Sequence, residues 1–232
     1  MQFLVVVIVP VVFWTAYFCY KDRLKPEPPS RLALAYLLGL GSAFVAQGAY
    51  FLIDRTGLFA DPVEMIFSDR VGFFTYAFLV IGPLEEASKL VFFLVVCARL
   101  RDFDEKIDGM VYASMIALGF ASIENVYLLE ILSGWQLYLR AIAAPVVHAS
   151  FASIWGLVYA AARMNRKNTT LRTGIAFVVA AALHGLYDYL ATWPAMAFSS
   201  AGVILILWGA GIYMMHRFQS KTPEASGRND SG

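Results

Sequence analysis

The 232-residue chain is 59% hydrophobic with a mean hydropathy of +0.64, which excludes an ordinary soluble domain and places it in the polytopic membrane class. A net charge of +1 leaves no spare basic face, so a nucleic-acid partner is excluded. Cys19 and Cys97 are the two cysteines, without a CxxC or a Cys/His cluster, which argues against a disulfide framework and a thiolate zinc site.

Apolar runs separated by polar breaks predict an all-α fold of about seven transmembrane helices, at 2–20, 32–53, 71–97, 109–129, 137–162, 173–192 and 198–215. Each is close to the ~20 residues that crossing a bilayer requires. The first run lacks a basic leader and a small-residue cleavage site, so it reads as a span rather than a signal peptide. The break from Lys21 to Arg31 is rich in proline and is expected to end one helix without starting another. Residues 54–70 form the longest loop on the other side, where PVEMIF is a short apolar run flanked by acids. It reads either as an interfacial helix near a substrate entrance or as plain loop. No internal repeat is visible. We expect one domain over 1–215 and a short disordered cytoplasmic tail over 216–232.

Charge orients these segments. The breaks at 21–31, 98–108 and 163–172, with the tail, hold fourteen of the eighteen Lys and Arg. Arg55, Arg70 and Arg140 lie on the opposite side, and Lys89 lies inside a helix. The positive-inside rule then puts the N-terminus outside and the C-terminus in the cytoplasm. Both cysteines fall near the cytoplasmic face, where thiols stay reduced.

Seven ionisable residues interrupt the apolar runs: Glu85, Glu86, Lys89, Glu124, His148, His184 and Asp188. A charge near the bilayer centre costs roughly 2.5–3.5 kcal/mol on insertion scales, so seven on four segments imply one polar site inside the membrane. On the third helix, Pro83 predicts a kink just before Glu85-Glu86-Ala87-Ser88-Lys89. Glu85 and Glu86 stand four and three residues before Lys89, so one carboxylate can pair with it while the other stays free to move a proton. Ordinary ion pairs at a helix end would use the same residues, but the apolar run from Leu90 to Val96 follows at once. On the fourth helix, Glu124-Asn125 is either an interfacial pair or part of the site. Asp108 is expected to cap that helix. On the fifth, His148 follows Pro145 by three, and Arg140 reads as a snorkelling side chain at the outer end. On the sixth, His184 and Asp188 are four apart and share a face, where the carboxylate can fix the imidazole or join it as a ligand.

In this order on successive helices, Glu85-Glu86-x-x-Lys89, Phe120-x-x-x-Glu124 and His184-x-x-x-Asp188 resemble the three motifs of the PrsW family of intramembrane proteases. Arg140-x4-Pro145-x2-His148 is similar to a further histidine segment of that family, and the resemblance covers roughly residues 30–195. The PrsW family is related to the CAAX-processing (abortive-infection) protease superfamily, where histidine and asparagine usually stand at the positions of Glu124 and Asp188. This chain follows the PrsW pattern, so a prenylated substrate is not implied.

The resemblance implies an intramembrane endopeptidase of a bacterial cytoplasmic (inner) membrane, working in the lipid bilayer on a single-pass membrane protein substrate, with an anti-sigma factor as the family's best-known case. Peptide hydrolysis would use an activated water. Glu85 or Glu86 would be the base, with Glu85 favoured by the resemblance, and Lys89 would neutralise the spare carboxylate. Glu124 would hold the water or a metal, His184 would polarise the carbonyl or bind the metal, and Asp188 would orient His184. His148 would be a ligand or a second electrophile. Glu124, His148 and His184 match a catalytic zinc (Zn2+) set, and a metal-free mechanism stays open because no His-Glu-x-x-His is present. A serine protease is disfavoured, with Ser150 near His148 as its one opening, as is a cysteine protease built on Cys97. The rival class is a proton- or cation-coupled transporter, which also uses buried Glu, His and Asp. The odd helix count and the lack of an inverted repeat speak against it.

Overall fold

The computed structural model describes residues 2–131, 133–193, 202, 205–207 and 209–214, and its regular elements are helical throughout. The first helix begins with a π-helical turn, Leu4–Ile8, and continues as α1 (Val9–Lys21). Then come α2 (Pro29–Asp54), α3 (Pro62–Ser68), α4 (Arg70–Tyr76), a second π-turn Ala77–Ile81, α5 (Gly82–Val95), a 3-10 turn Cys97–Arg99, α6 (Lys106–Ile131), α7 (Gly134–Met164) and α8 (Thr169–Ala191). Among the described residues, five helices are long and apolar enough to cross a membrane: Leu4–Lys21, Pro29–Asp54, Lys106–Glu130, Leu137–Met164 and Thr169–Ala191. The expected third span is one unbroken run of helical backbone from α4 through the π-turn to α5, but it is not uniformly apolar, because Glu85, Glu86 and Lys89 sit in its second half. Much of the expected seventh span, and all of the tail over 216–232, lie outside the described residues; 205–207 and 209–214 are helical.

The packing follows from composition. Every residue of α6 from Ile107 to Ser122 is buried, as a helix apolar on all sides must be, and α2 and α7 pack closely along it. Small residues let these helices approach. At the α2–α6 crossing, a Cβ on Gly39 would collide with the backbone of Ile116, and one on Gly119 with that of Tyr36. A second close crossing sets the site. A Cβ on Gly82 would meet the carbonyl of Ala181, and one on Gly185 the carbonyl of Ala77, so α5 and α8 can touch only as glycine against backbone.

Proline accounts for the irregular backbone. In an α-helix the Pro83 ring would crowd the Leu79 carbonyl. Here the backbone widens first into the Ala77–Ile81 π-turn, and the Gly82 N–H reaches back to the Ala77 carbonyl. Pro145 stands inside α7 without breaking it. It cannot donate to the Ala141 carbonyl, and Pro10 likewise cannot donate to that of Val6. The Asn125 side-chain amide donates to both of these carbonyls, at 3.1 and 3.2 Å. One asparagine beside Glu124 thus pins two proline-interrupted helices to α6.

Several local expectations change. The prolines of the 21–31 break do start a helix, because Pro29 stands in the first turn of α2, where its missing N–H would be unpaired anyway. Asp108 is not the residue before α6 but lies in its first turn. Its carboxylate reaches back to the N–H groups of Glu105 (2.6 Å) and Asp104 (2.7 Å), the acidic half of a capping box. Between the two readings of PVEMIF, the helix holds: α3 is opened by Asp61, whose side chain accepts from Val63 and Glu64 N–H.

Candidate active site

The close α5–α8 crossing brings the first and last motif together. Glu85, Glu86 and Lys89 come from α5, Glu124 from α6, His148 from α7, and His184 and Asp188 from α8. All seven expected residues meet at one place, and Glu86 and Lys89 are wholly buried.

Glu86 is fully occupied. Its Oε1 accepts from the Lys89 ammonium at 2.9 Å and from His184 Nδ1 at 2.9 Å, and its Oε2 accepts from Trp155 Nε1–H at 2.8 Å. Glu85 is different. Its Oε1 accepts from the Tyr50 hydroxyl at 2.9 Å, while its Oε2 is buried and without a hydrogen bond. That oxygen lies 3.6 Å from His184 Nε2, 3.8 Å from Lys89 Nζ and 3.9 Å from His148 Nδ1. Of the two neighbouring carboxylates, Glu86 pairs with lysine and Glu85 keeps an unpartnered oxygen.

The hydrogen bonds fix both imidazoles. An ammonium only donates, so His148 Nδ1, 2.9 Å from Lys89 Nζ, accepts. His148 Nε2 then carries the proton toward Glu124 Oε2 at 2.5 Å. At His184 the proton on Nδ1 points to Glu86, which leaves the Nε2 lone pair facing Glu85 Oε2 and, at 3.6 Å, Asp188 Oδ2. Asp188 Oδ2 also has no hydrogen-bond partner. Three acceptors therefore converge with no donor between them, and burial makes that arrangement costly unless a proton, a water or a cation sits among them.

This bears on the expected metal set. Glu124 is bonded to Nε2 of His148, and the two nitrogens of an imidazole point away from each other. Among the described residues, the group that offers one ligand atom each within 4.8 Å of one another is Glu85, His148 and His184. Ligands around a tetrahedral zinc lie roughly 3.4 Å apart, given Zn–N and Zn–O bonds of about 2.0–2.2 Å. The separations of 3.6 and 3.9 Å from Glu85 Oε2 need only a small contraction. Two imidazoles and a carboxylate whose buried oxygen is orphaned are a donor set that fits a divalent ion. Glu86 holds His184 by its Nδ1 at 2.9 Å, while Asp188, expected to orient it, stands 3.6 Å from its Nε2.

Glu85, Glu124 and Asp188 line a cavity of about 670 Å³ with Tyr50, Ile66 and Arg140. The residues around it come from the end of α2, the 59–66 segment and the end of α8, so it opens away from the basic breaks. Arg140, expected to snorkel, lines this cavity with its Nε buried and unbonded.

Trp155, Tyr50 and Phe151 escape the sequence reading. For two of them a signal exists. Trp155 follows His148 by seven residues and Phe151 by three, the same face of α7. Phe151 stacks on His184 at 4.9 Å between ring centroids. Tyr50 sits in an apolar run with no pattern to mark it.

The sequence matches the PrsW family intramembrane metalloprotease description over residues 27–215. It is similar to Protease PrsW of Oceanobacillus iheyensis, 35% identical over 154 residues that make up 64% of this chain and 70% of the relative. The counterpart in Geobacillus kaustophilus is 31% identical over 187 residues, 79% of this chain and 76% of the relative. That of Bacillus subtilis is 27% identical over 186 residues, 80% of each. No solved structure matches the chain.

Proposed function

The chain belongs to the PrsW family of intramembrane proteases, and for this member we propose that it hydrolyses a peptide bond of a single-pass membrane protein at the foot of the 670 Å³ cavity, with Glu85 at the centre of the chemistry. The observation that carries this is the Glu85 Oε2 atom, buried, without a hydrogen bond and on the cavity wall.

Each residue then has a task. Tyr50 holds one oxygen of Glu85 and turns the other toward the cavity. Glu86, clamped by Lys89 and Trp155, holds His184 by its Nδ1 and keeps its Nε2 aimed inward. Glu124 fixes His148 in the same way through Nε2. A water beside Glu85 Oε2 loses its proton to that carboxylate as its oxygen attacks the scissile carbonyl, and Glu85 returns the proton to the leaving amine.

Glu85, His148 and His184 would hold a zinc ion. Such an ion supplies Lewis-acid polarisation of the carbonyl and a more acidic water. With Glu85 engaged as a ligand, Asp188 Oδ2 is the free carboxylate left to carry the proton. Expected but finer features belong to the same reading: seven spans with the N-terminus outside, a 1–215 protease domain, a 216–232 cytoplasmic tail and a bacterial cytoplasmic membrane. The cavity mouth then faces outward, which suits cleavage of an anti-sigma-type protein on its outer side.

The test is cleavage of a single-pass anti-sigma-type reporter by the purified protein in detergent, beside Glu85→Gln and His184→Ala, each with and without chelator. Cleavage by wild type that both variants lose by at least about a hundredfold supports the reading. Loss on chelation assigns the ion, and cleavage that survives it assigns Glu85 as the base. Equal cleavage by wild type and Glu85→Gln would sink the assignment.

A further inference from the structure

We propose that Lys89 is a resident competitor for the cation position: its ammonium occupies the one nitrogen of His148 through which a divalent ion could bind, so ion binding requires Lys89 to release that histidine. This rests on the reading of Glu85, His148 and His184 as an ion site.

The geometry is tight. Lys89 is fully buried and its Nζ lies 2.9 Å from His148 Nδ1, 2.9 Å from Glu86 Oε1 and 3.8 Å from Glu85 Oε2. Its fourth contact is the face of Phe120, with the ring centroid at 4.1 Å. His148 has no second nitrogen to offer, since Nε2 is committed to Glu124. An imidazole nitrogen has a single lone pair, so it cannot serve the ammonium and an ion together.

Charge acts in the same direction. A buried cation a few ångströms from the ligand atoms repels a second cation, and the low dielectric of the interior strengthens that repulsion. Lys89 nevertheless has a place to go, because its bond to Glu86 does not depend on His148. The ammonium therefore holds the carboxylate cluster together when no ion is bound and sets the affinity when one is. Plain neutralisation of Glu86 would also weaken ion binding through repulsion, but removing lysine and glutamate together leaves the net charge unchanged, so a gain in affinity there reads the release of His148.

The experiment is a titration of the purified, chelator-stripped full-length protein in detergent with Co2+, followed by visible absorption, and with Zn2+ by equilibrium dialysis. Wild type runs beside Lys89→Leu and the double variant Lys89→Leu/Glu86→Gln. The double variant removes the ion pair as a unit and keeps the test alive if the single one misfolds. Both are expected to bind about tenfold or more tightly than wild type, and adding His148→Ala to either should abolish the gain. Affinity unchanged or weakened in the folded variants would overturn the proposal. So would a failure of every form to bind either ion. Neither result touches the protease reading, which depends on reporter cleavage and on Glu85→Gln.

Discussion

At one end of the bundle Asp22, Glu27 and Asp108 are buried to 3%, 7% and 1% exposure, and within the candidate site Glu85 and Glu86 are buried to 5% and 0%. Burial does not separate the two groups; satisfaction does. In the first, the Glu27 N–H donates to Asp22 Oδ2 at 2.8 Å, the Tyr112 hydroxyl donates to Glu27 Oε2, and Asp108 caps α6. Lys25 with Asp104 and Arg31 with Asp102 close the corner from outside, at 2.5 and 3.1 Å. None of those three buried carboxylates has an orphaned oxygen. In the candidate site Glu85 and Asp188 each keep one, on the wall of a cavity. A buried carboxylate with no orphaned oxygen holds a fold together. One with an oxygen left over beside a cavity can do chemistry.

The most direct way to break this contrast is to delete one carboxylate from each region. Glu85→Gln should cost about a hundredfold or more in reporter cleavage with little change in thermal stability, because the atom it alters makes no hydrogen bond. Asp108→Ala should do the reverse. Two backbone N–H groups lose their acceptor, so stability should fall by about 1–2 kcal/mol, while cleavage per folded molecule stays near wild type. Thermal melts and cleavage rates on the same preparations read both. A stability loss for Glu85→Gln as large as that for Asp108→Ala would erase the distinction.

The seven costly residues were legible in the sequence because apolar surroundings make each of them conspicuous. Their meeting followed from helical spacing and shared depth. The counterparts at the other end were not legible. Asp22 and Glu27 sit in a charged, proline-rich break that looks like solvent-exposed loop, and nothing local says that Tyr112, 85 residues further on, will cover one of them. The same limit hid Tyr50 and the choice of nitrogen on His148. Both depend on which helices touch, and that is decided by glycines such as Gly82 and Gly185, whose signal is the lack of a side chain. Asn125 lay in plain view beside Glu124, but its task appears only when the carbonyls freed by Pro10 and Pro145 are seen to converge on it.

Tyr50 sharpens the contrast from within the site. It occupies one Glu85 oxygen and so decides which one is free. Tyr50→Phe removes a single hydrogen bond to a carboxylate and should lower kcat by about tenfold, with KM nearly unchanged because the cavity keeps its shape. A rise in KM at constant kcat would make Tyr50 part of substrate binding and not a positioning residue.

The smallest effect is expected in the satisfied corner, and it concerns pH. Burial pushes the Asp22 carboxyl up to about 6, and the charges of Asp108 and Glu105 add to the rise against the hydrogen bond from the Glu27 N–H. Burial likewise raises Glu27, again with Asp22 adding to the shift. An unfolded aspartate titrates near 3.9. Between about 4 and about 6 the folded protein therefore holds a proton at Asp22 that the unfolded chain has given up. Stability from this source is complete at the acid end, declines as pH rises through that window and is gone above it. Asp22→Asn keeps an oxygen for the Glu27 N–H and removes the titration. Its melting temperature should exceed that of wild type at pH 7.5 and show a shallower decline between pH 5 and 7.5. Parallel curves for the two proteins would mean that the charge at Asp22 is screened after all, and that this corner, for all its hydrogen bonds, is wet.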